Sequence, residues 1–312
     1  MTMLKRFFQS VFHRRLVLTL AFTTPLAISA ADTGKTFATP EAAVSALVAA
    51  ASAKDTNALR DIFGPATADI ENPDCVQAAN ELNAFTAALN QTNRIVKESD
   101  SRCVLEVGDN LWPFPIPVVE KDGQWFFDTE AGKDEILNRR IGQNELATLQ
   151  VARAYVEAQR EYAAQDRDGK EVLKFAQKII SSPGMKDGLY WPPELDGEIS
   201  PLGPLAADAA ADGYGKNRES ERQPFHGYFF KILTRQGKHA PGGKYNYVIN
   251  GNMIGGFALV AWPAEYGESG IMTFIVNQQG RVYQKDLGPQ TSKTAEAMQA
   301  YDPDKTWAKS AD

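Results

Sequence analysis

The sequence predicts an α+β fold, and three observations predict it. Apolar residues recur at helical spacing in two places, Ala43 to Ala51 and Leu146 to Ala163. Short β-branched and aromatic runs, bounded by Gly, Asn and Asp, fill residues 94–127 and the last third of the chain. In the first half, helices come before an antiparallel meander, the order expected of an α+β module.

Taken in order, the chain opens with an export signal. Lys5, Arg6, Arg14 and Arg15 precede the apolar run Leu16 to Leu26, and small residues follow at Ala27, Ser29, Ala30 and Ala31. This is the layout of a cleavable secretory segment. The apolar run is too short to span a bilayer, and no cysteine stands there to carry a lipid. The expected location is therefore the periplasm or the medium. Cleavage leaves about 280 residues, enough for one large or two ordinary domains. It also removes four cations and no acid, taking the formal charge from −6 to −10. So acidic a chain is a poor partner for nucleic acid or an anionic membrane. No later run is long enough for a membrane helix.

Residues 31–138 read as an N-terminal α+β module. Thr39-Pro40-Glu41 caps a first helix, which Lys54-Asp55 ends. Asn57 to Phe63 is a second helix, stopped by Gly64-Pro65, and Glu81 to Leu89 a third. Strands follow at Arg94 to Val96 and Cys103 to Val107. Trp112 to Val119 alternates prolines with apolar residues, which suits an edge strand or an extended arm, because proline cannot donate to a ladder. Asp122-Gly123 turns the chain into a strand from Gln124 to Phe127. Cys75 and Cys103 are the two cysteines. In an oxidising compartment they are expected to pair, closing a loop worth about 3–4 kcal/mol.

Residues 139–312 read as a second α+β module. A helix of about 20 residues starts near Asn144, with Leu146, Leu149, Ala152 and Val156 facing a sheet that carries Phe257, Leu259 and Phe274. Arg139, Arg140 and Gly142 mark the junction before it. A turn-rich region follows, with a small helix at Leu205 to Ala211. Strands are expected at Gly227 to Thr234, Tyr245 to Asn250, Phe257 to Pro263, Gly270 to Asn277 and Arg281 to Lys285, then a helix at Thr291 to Met298.

Six motifs carry a resemblance. They are Trp112-Pro-Phe-Pro-Ile-Pro, Asn138-Arg-Arg-Ile-Gly-Gln-Asn-Glu145, Ala158-Gln-Arg-Glu-Tyr-Ala163, Pro224-Phe-His-Gly-Tyr-Phe-Phe230, Gly255 to Gly267, and Tyr283-Gln-Lys-Asp-Leu-Gly-Pro289. Together they resemble domain-of-unknown-function family 2950 of exported bacterial proteins. The resemblance implies no activity. The C-terminal part weakly resembles the globular domain of type IV pilins and pseudopilins. Asn144-Glu145, Gly227-Tyr228, Phe257 to Pro263 and Thr273-Phe274-Ile275 follow that order. The resemblance implies a long helix on an antiparallel sheet. An acidic module stands where a pilin has its apolar helix, so only the fold carries over.

No set of residues forms a recognisable catalytic motif. His226 could serve as a general acid or base, and Glu265 with Asp286 could form a carboxylate pair beside Trp262 and Tyr266. These five are the candidate pocket residues. His226 reads better as a structural residue at a strand start, and Glu265 as a solvated turn residue. His239 lies in a hairpin loop. Asp166 to Glu171 has the flavour of a calcium loop, but Gly169 is fourth where the calcium pattern places glycine sixth. Gly251 to Gly256 lacks the strand-to-helix context of a phosphate loop and reads as a turn. Trp112, Phe114, Trp125, Trp191 and Trp262 suit a core better than a binding groove. No metal or other cofactor is expected. The reading is a non-enzymatic binding or envelope-assembly protein with a protein or envelope-polymer partner. The alternative is an envelope hydrolase of glycan or peptide, which requires Glu265, Asp286 and His226 to converge.

Overall fold

A computed structural model describes residues 33–167, 169, 171–195, 197–214 and 223–310. The expected signal at 1–30 lies outside them. The helices are α1 (Pro40–Ala53), α2 (Thr56–Phe63), α3 (Cys75–Gln91), α4 (Thr129–Ala163), α5 (Gly203–Asp212) and α6 (Thr291–Ala297). The first strands are β1 (Asn93–Ser99), β2 (Arg102–Val107), β3 (Trp112–Pro113), β4 (Val118–Lys121) and β5 (Gln124–Phe127). The later ones are β6 (Tyr228–Leu233), β7 (Arg235–Gln236), β8 (Tyr245–Asn246), β9 (Val248–Ile249) and β10 (Asn252–Met253). They end with β11 (Ala258–Pro263), β12 (Met272–Asn277), β13 (Tyr283–Asp286) and β14 (Ala308–Lys309). The fold is α+β.

The first sheet runs β1-β2-β4-β5, with β3 paired to β2, and every pairing is antiparallel. Its inward side chains, Cys103, Leu105, Val107, Val118 and Phe127, alternate along their strands and meet Ala43, Val44, Leu47 and Ala51 of α1. Asp122 and Gly123 both take positive φ, 55° and 76°, as a two-residue hairpin turn demands. Trp112 to Pro117 behaves as the expected edge and arm. Val118 and Val119 do not, because β4 lies between β2 and β5.

The expected disulfide does not form. Both cysteines are free. Cys103 faces the first core, whereas Cys75 is the first residue of α3 and is exposed. The strand's alternation commits Cys103 inward, and the Asp74 cap fixes Cys75 at the helix start.

The second sheet runs β14-β13-β12-β11-β6, also antiparallel. Helix α4 packs against β11 and β12. It is far longer than expected, because Asp128 caps it at Thr129 and the sequence Arg139 to Gly142 continues it. Its buried side includes Ile141, Asn144, Thr148, Ala152, Tyr155, Val156, Gln159 and Tyr162. Leu146, expected on that side, is 44% exposed, while Leu149 is half-buried against the core. Tyr155 and Gln159, buried on α4, are both satisfied. The Tyr155 hydroxyl donates to the Ala258 carbonyl at 3.1 Å, and Gln159 exchanges two bonds of 2.8 Å with the backbone of Ala176.

Candidate functional site

The chain dictates where His226 goes. Phe225 and Tyr228 exchange backbone bonds of 2.9 and 3.1 Å, leaving His226 and Gly227 as a two-residue turn. Their φ angles are 48° and 70°, the left-handed pair such a turn requires. Glycine tolerates this; histidine rarely does. A side chain at 227 would strike the Asn144 amide nitrogen, 2.5 Å from an added Cβ. His226 is half-buried, its ring 4.3 Å from that of Phe225 and 5.7 Å from that of Tyr214. Burial holds its pKa below the usual histidine value, against the pull of Asp212 and Asp74. Burial therefore favours the neutral imidazole.

The other four candidates lie along the β11 and β13 ends of the second sheet. Trp262 is fully buried beside Phe229, so it belongs to the core. Glu265 is exposed on a turn whose ends are tied by Ser269, whose Oγ accepts from the Glu265 amide and donates to the Glu265 carbonyl. The Tyr266 hydroxyl donates to Oδ2 of Asp286 at 3.2 Å, and Oδ1 of Asp286 accepts from the Gly288 amide at 2.7 Å. That hydrogen bond to Asp286 raises the Tyr266 pKa. The structure thus brings Tyr266 to Asp286. Among the described residues, no hydrogen bond joins His226 to Glu265 or Asp286.

The polar groups that do converge were not among the expected ones. Asp74 is 2% exposed, and its Oδ1 accepts from the amides of Val76 and Gln77, both at 3.1 Å, as the cap of α3. Its Oδ2 accepts from the Tyr214 hydroxyl at 2.6 Å and from the Gly227 amide at 3.2 Å. Gln77 donates to Oδ1 of fully buried Asn144, whose Nδ2 donates to the Ser269 carbonyl at 2.9 Å. Next along α4, Oε1 of Glu145 accepts from the amides of Ile271 and Met272. Arg140 donates to the carbonyls of Ile70 and Glu71. Glu81 is exposed as a residue, yet protein atoms crowd its carboxyl and raise its pKa.

Four separate parts meet in this network: the start of α3, the middle of α4, Tyr214 together with the His226–Gly227 turn, and the Ser269 turn. Burial, then the Asp74 carboxylate, keep the Tyr214 phenol above its usual pKa, so it remains a donor. Both oxygens of Asp74 and Oε1 of Glu145 are taken by backbone amides and Tyr214, so the arrangement holds backbone segments in place. Asn144 and Gly227 stood in the sequence motifs, but nothing local ties them to Asp74.

An open cleft of about 690 Å³ lies elsewhere, lined by Thr33, Lys35, Arg60, Asp61, Thr67 and Glu71 among others. None of the five candidate residues lines it. Arg60 and Glu71 pair across it at 2.7 Å. Of the calcium-like run, Asp168 and Lys170 lie outside the described residues, and Oδ2 of Asp166 accepts from the Glu171 amide. Gly251 forms a left-handed turn with Asn250 between β9 and β10, whereas Asn252 and Met253 of the expected turn form β10.

The model of a family described as protein of unknown function (DUF2950) matches residues 34–310. The chain belongs to this family. Neither a curated protein nor a solved structure matches it. In this DUF2950 chain the matched region takes in both five-stranded sheets and the six α-helices of the described residues. Among the described residues, no helix is long and apolar enough to cross a membrane.

Proposed function

We propose that this DUF2950 protein is exported and acts by binding a protein or an envelope polymer, without turnover. One observation carries the reading: two of the three groups that could do acid–base chemistry, Asp286 and His226, are held by their neighbours. Asp286 is held by Tyr266 and Gly288, and the His226 imidazole packs against the rings of Phe225 and Tyr214. Trp262 is a core residue, which removes the ring that a sugar would stack on beside Glu265. A glycan hydrolase needs two carboxyls facing each other across the scissile bond, and Glu265 stands on an exposed turn. The pilin-like reading of the C-terminal half draws support from α4 lying on an antiparallel sheet, and it stays a matter of fold.

The test is complementation of a deletion strain. His226→Ala and Glu265→Gln variants should restore the wild-type phenotype. A catalytic acid or base supplies about 10²- to 10⁴-fold in rate. Loss of complementation at unchanged protein level and melting temperature would promote the hydrolase.

A further inference from the structure

The ion pairs of this chain are unevenly spread. Among the described residues, those of lysine and arginine run from Arg60–Glu71 to Lys186–Glu198, and all lie before residue 200. After it, Arg235–Lys244, Arg281–Lys285 and Lys305–Lys309 are rich in cations and hold no Asp or Glu. Arg235, Lys238, Lys244 and Lys305 are exposed and, among the described residues, without an ion pair.

The fold gathers these three segments. Gln236 bridges to Tyr301, whose amide donates to the Arg235 carbonyl at 3.0 Å. Lys309 stands opposite Tyr283 in the β13–β14 pairing. Lys285 donates to Thr306 at 2.8 Å and lies over the Trp307 ring, 5.9 Å from its centre. The Ser310 amide donates to the Val282 carbonyl at 3.0 Å, which carries the pairing past the start of β13. Alternate residues of an extended chain share a face, so Arg281, Tyr283 and Lys285 form a row of cation, ring and cation, about 13 Å long. The Arg281 guanidinium lies beside the Tyr283 hydroxyl. Partly exposed rings stand among the cations: Tyr283, Trp307 and, next to Lys244, Tyr245 at 37% exposure. The two acids nearby are engaged, Asp302 by His239 and Asp304 by Thr306.

We propose that this end of the second sheet binds an acidic polysaccharide, one that carries a carboxylate on some of its sugars and leaves others neutral. The inference rests on the binding role proposed above and adds to it a face and a polymer chemistry. Carboxylates meet the lysines and arginines, and sugar rings lie on the tyrosines and Trp307. Charge density selects this polymer over nucleic acid. Duplex DNA carries a charge about every 1.7 Å, far denser than the row on β13, and the remainder of the chain is acidic. The Debye length is about 8 Å at physiological salt, so a polymer lying on the patch meets its local positive sign.

Titration calorimetry of the full chain with hyaluronate oligosaccharides tests the proposal, because these alternate a carboxylate sugar with a neutral one. Binding is expected, and it should weaken severalfold between about 50 and 200 mM salt. The double variant Lys238→Gln with Lys244→Gln should lower affinity about tenfold, and Arg281→Gln likewise. Lys54→Gln with Lys97→Gln, which removes as much charge near the first core, should leave affinity unchanged. Circular dichroism of each variant checks that the fold persists. Failure to bind hyaluronate, equal losses from the two double variants, or equal or tighter binding to neutral dextran, a DNA oligomer or phosphatidylglycerol vesicles would overturn the proposal. The length of the recovered oligosaccharide reads the absence of turnover separately. Shortening would sink the non-catalytic reading, while the variants would still locate the face.

Discussion

The Tyr214 hydroxyl donates to Oδ2 of Asp74, 140 positions earlier in the chain, at 2.6 Å. One carboxylate therefore caps a helix with one oxygen and anchors a distant tyrosine and the His226–Gly227 turn with the other.

Asp74→Ala removes the cap and strands two donors, so it should cost about 2–4 kcal/mol. Tyr214→Phe removes one donor and leaves the cap intact, and should cost about 1–2 kcal/mol. Urea denaturation gives both values. Equal losses, or a larger loss for Tyr214→Phe, would contradict the division of labour between the two oxygens.

A second prediction concerns acid. Lys186 and Arg167 donate to Glu198, and these bonds hold its pKa below the ordinary value of 4.5. The folded value lies below the unfolded one. Stability from this group is therefore fully present above about pH 4.5 and is lost as pH falls through the folded value. Arg167 also stacks on Trp191, 5.0 Å from the ring, and its side chain is 4% exposed. The urea midpoint should fall as pH drops from about 5 to about 3, and Glu198→Gln should fall less steeply. Parallel curves for the two proteins would refute the assignment.

Thiol chemistry offers a third. Burial raises the pKa of the Cys103 thiol, and its side chain faces the first core. Cys75 is exposed. Labelling of the native protein should modify Cys75 alone, and denaturation without reductant should release Cys103. Two unreactive cysteines under denaturing, non-reducing conditions would mean that they are bridged.

The fourth sets Leu146 against Leu149. An aspartate at the exposed Leu146 should change stability by less than about 0.5 kcal/mol. At half-buried Leu149 it should cost about 2–3 kcal/mol, because a charge is forced against the sheet. Thermal melts of the two variants settle it.

How much of this was legible in the sequence varies with the range over which each signal acts. Thr39-Pro40 marked α1, because an N-cap and a first-turn proline are local. The start of α3 was missed because Cys75 to Asn80 offers little amphipathic pattern, although Asp74 is a cap residue. The first half of α4 was missed for a related reason. Lys133, Asp134, Glu135, Asn138, Arg139 and Arg140 read as polar, and no apolar stripe announces them. What holds them is tertiary: Gly132 lets the helix approach Ile116 and Pro115 closely, and Arg140 bonds to two carbonyls. The strands of the second sheet were legible from their apolar runs, but two-residue pieces such as β7 and β14 carry too few residues for a period. Of the candidate residues, Tyr266 and Asp286 do meet, because Tyr266 stands on the connection from β11 to β12, whose Met272 pairs with Asp286 of β13. The Asp74 network joins four segments far apart in the chain, and no local pattern encodes such a meeting.

Helix α4 spans 35 residues, about 52 Å at 1.5 Å per residue. Near its start Ile136 packs on the first core, and from Leu149 onward it packs on the second. A rod shared in this way is a wall of both cores. Fraying from one end strips a wall from the first core, and fraying from the other strips a wall from the second.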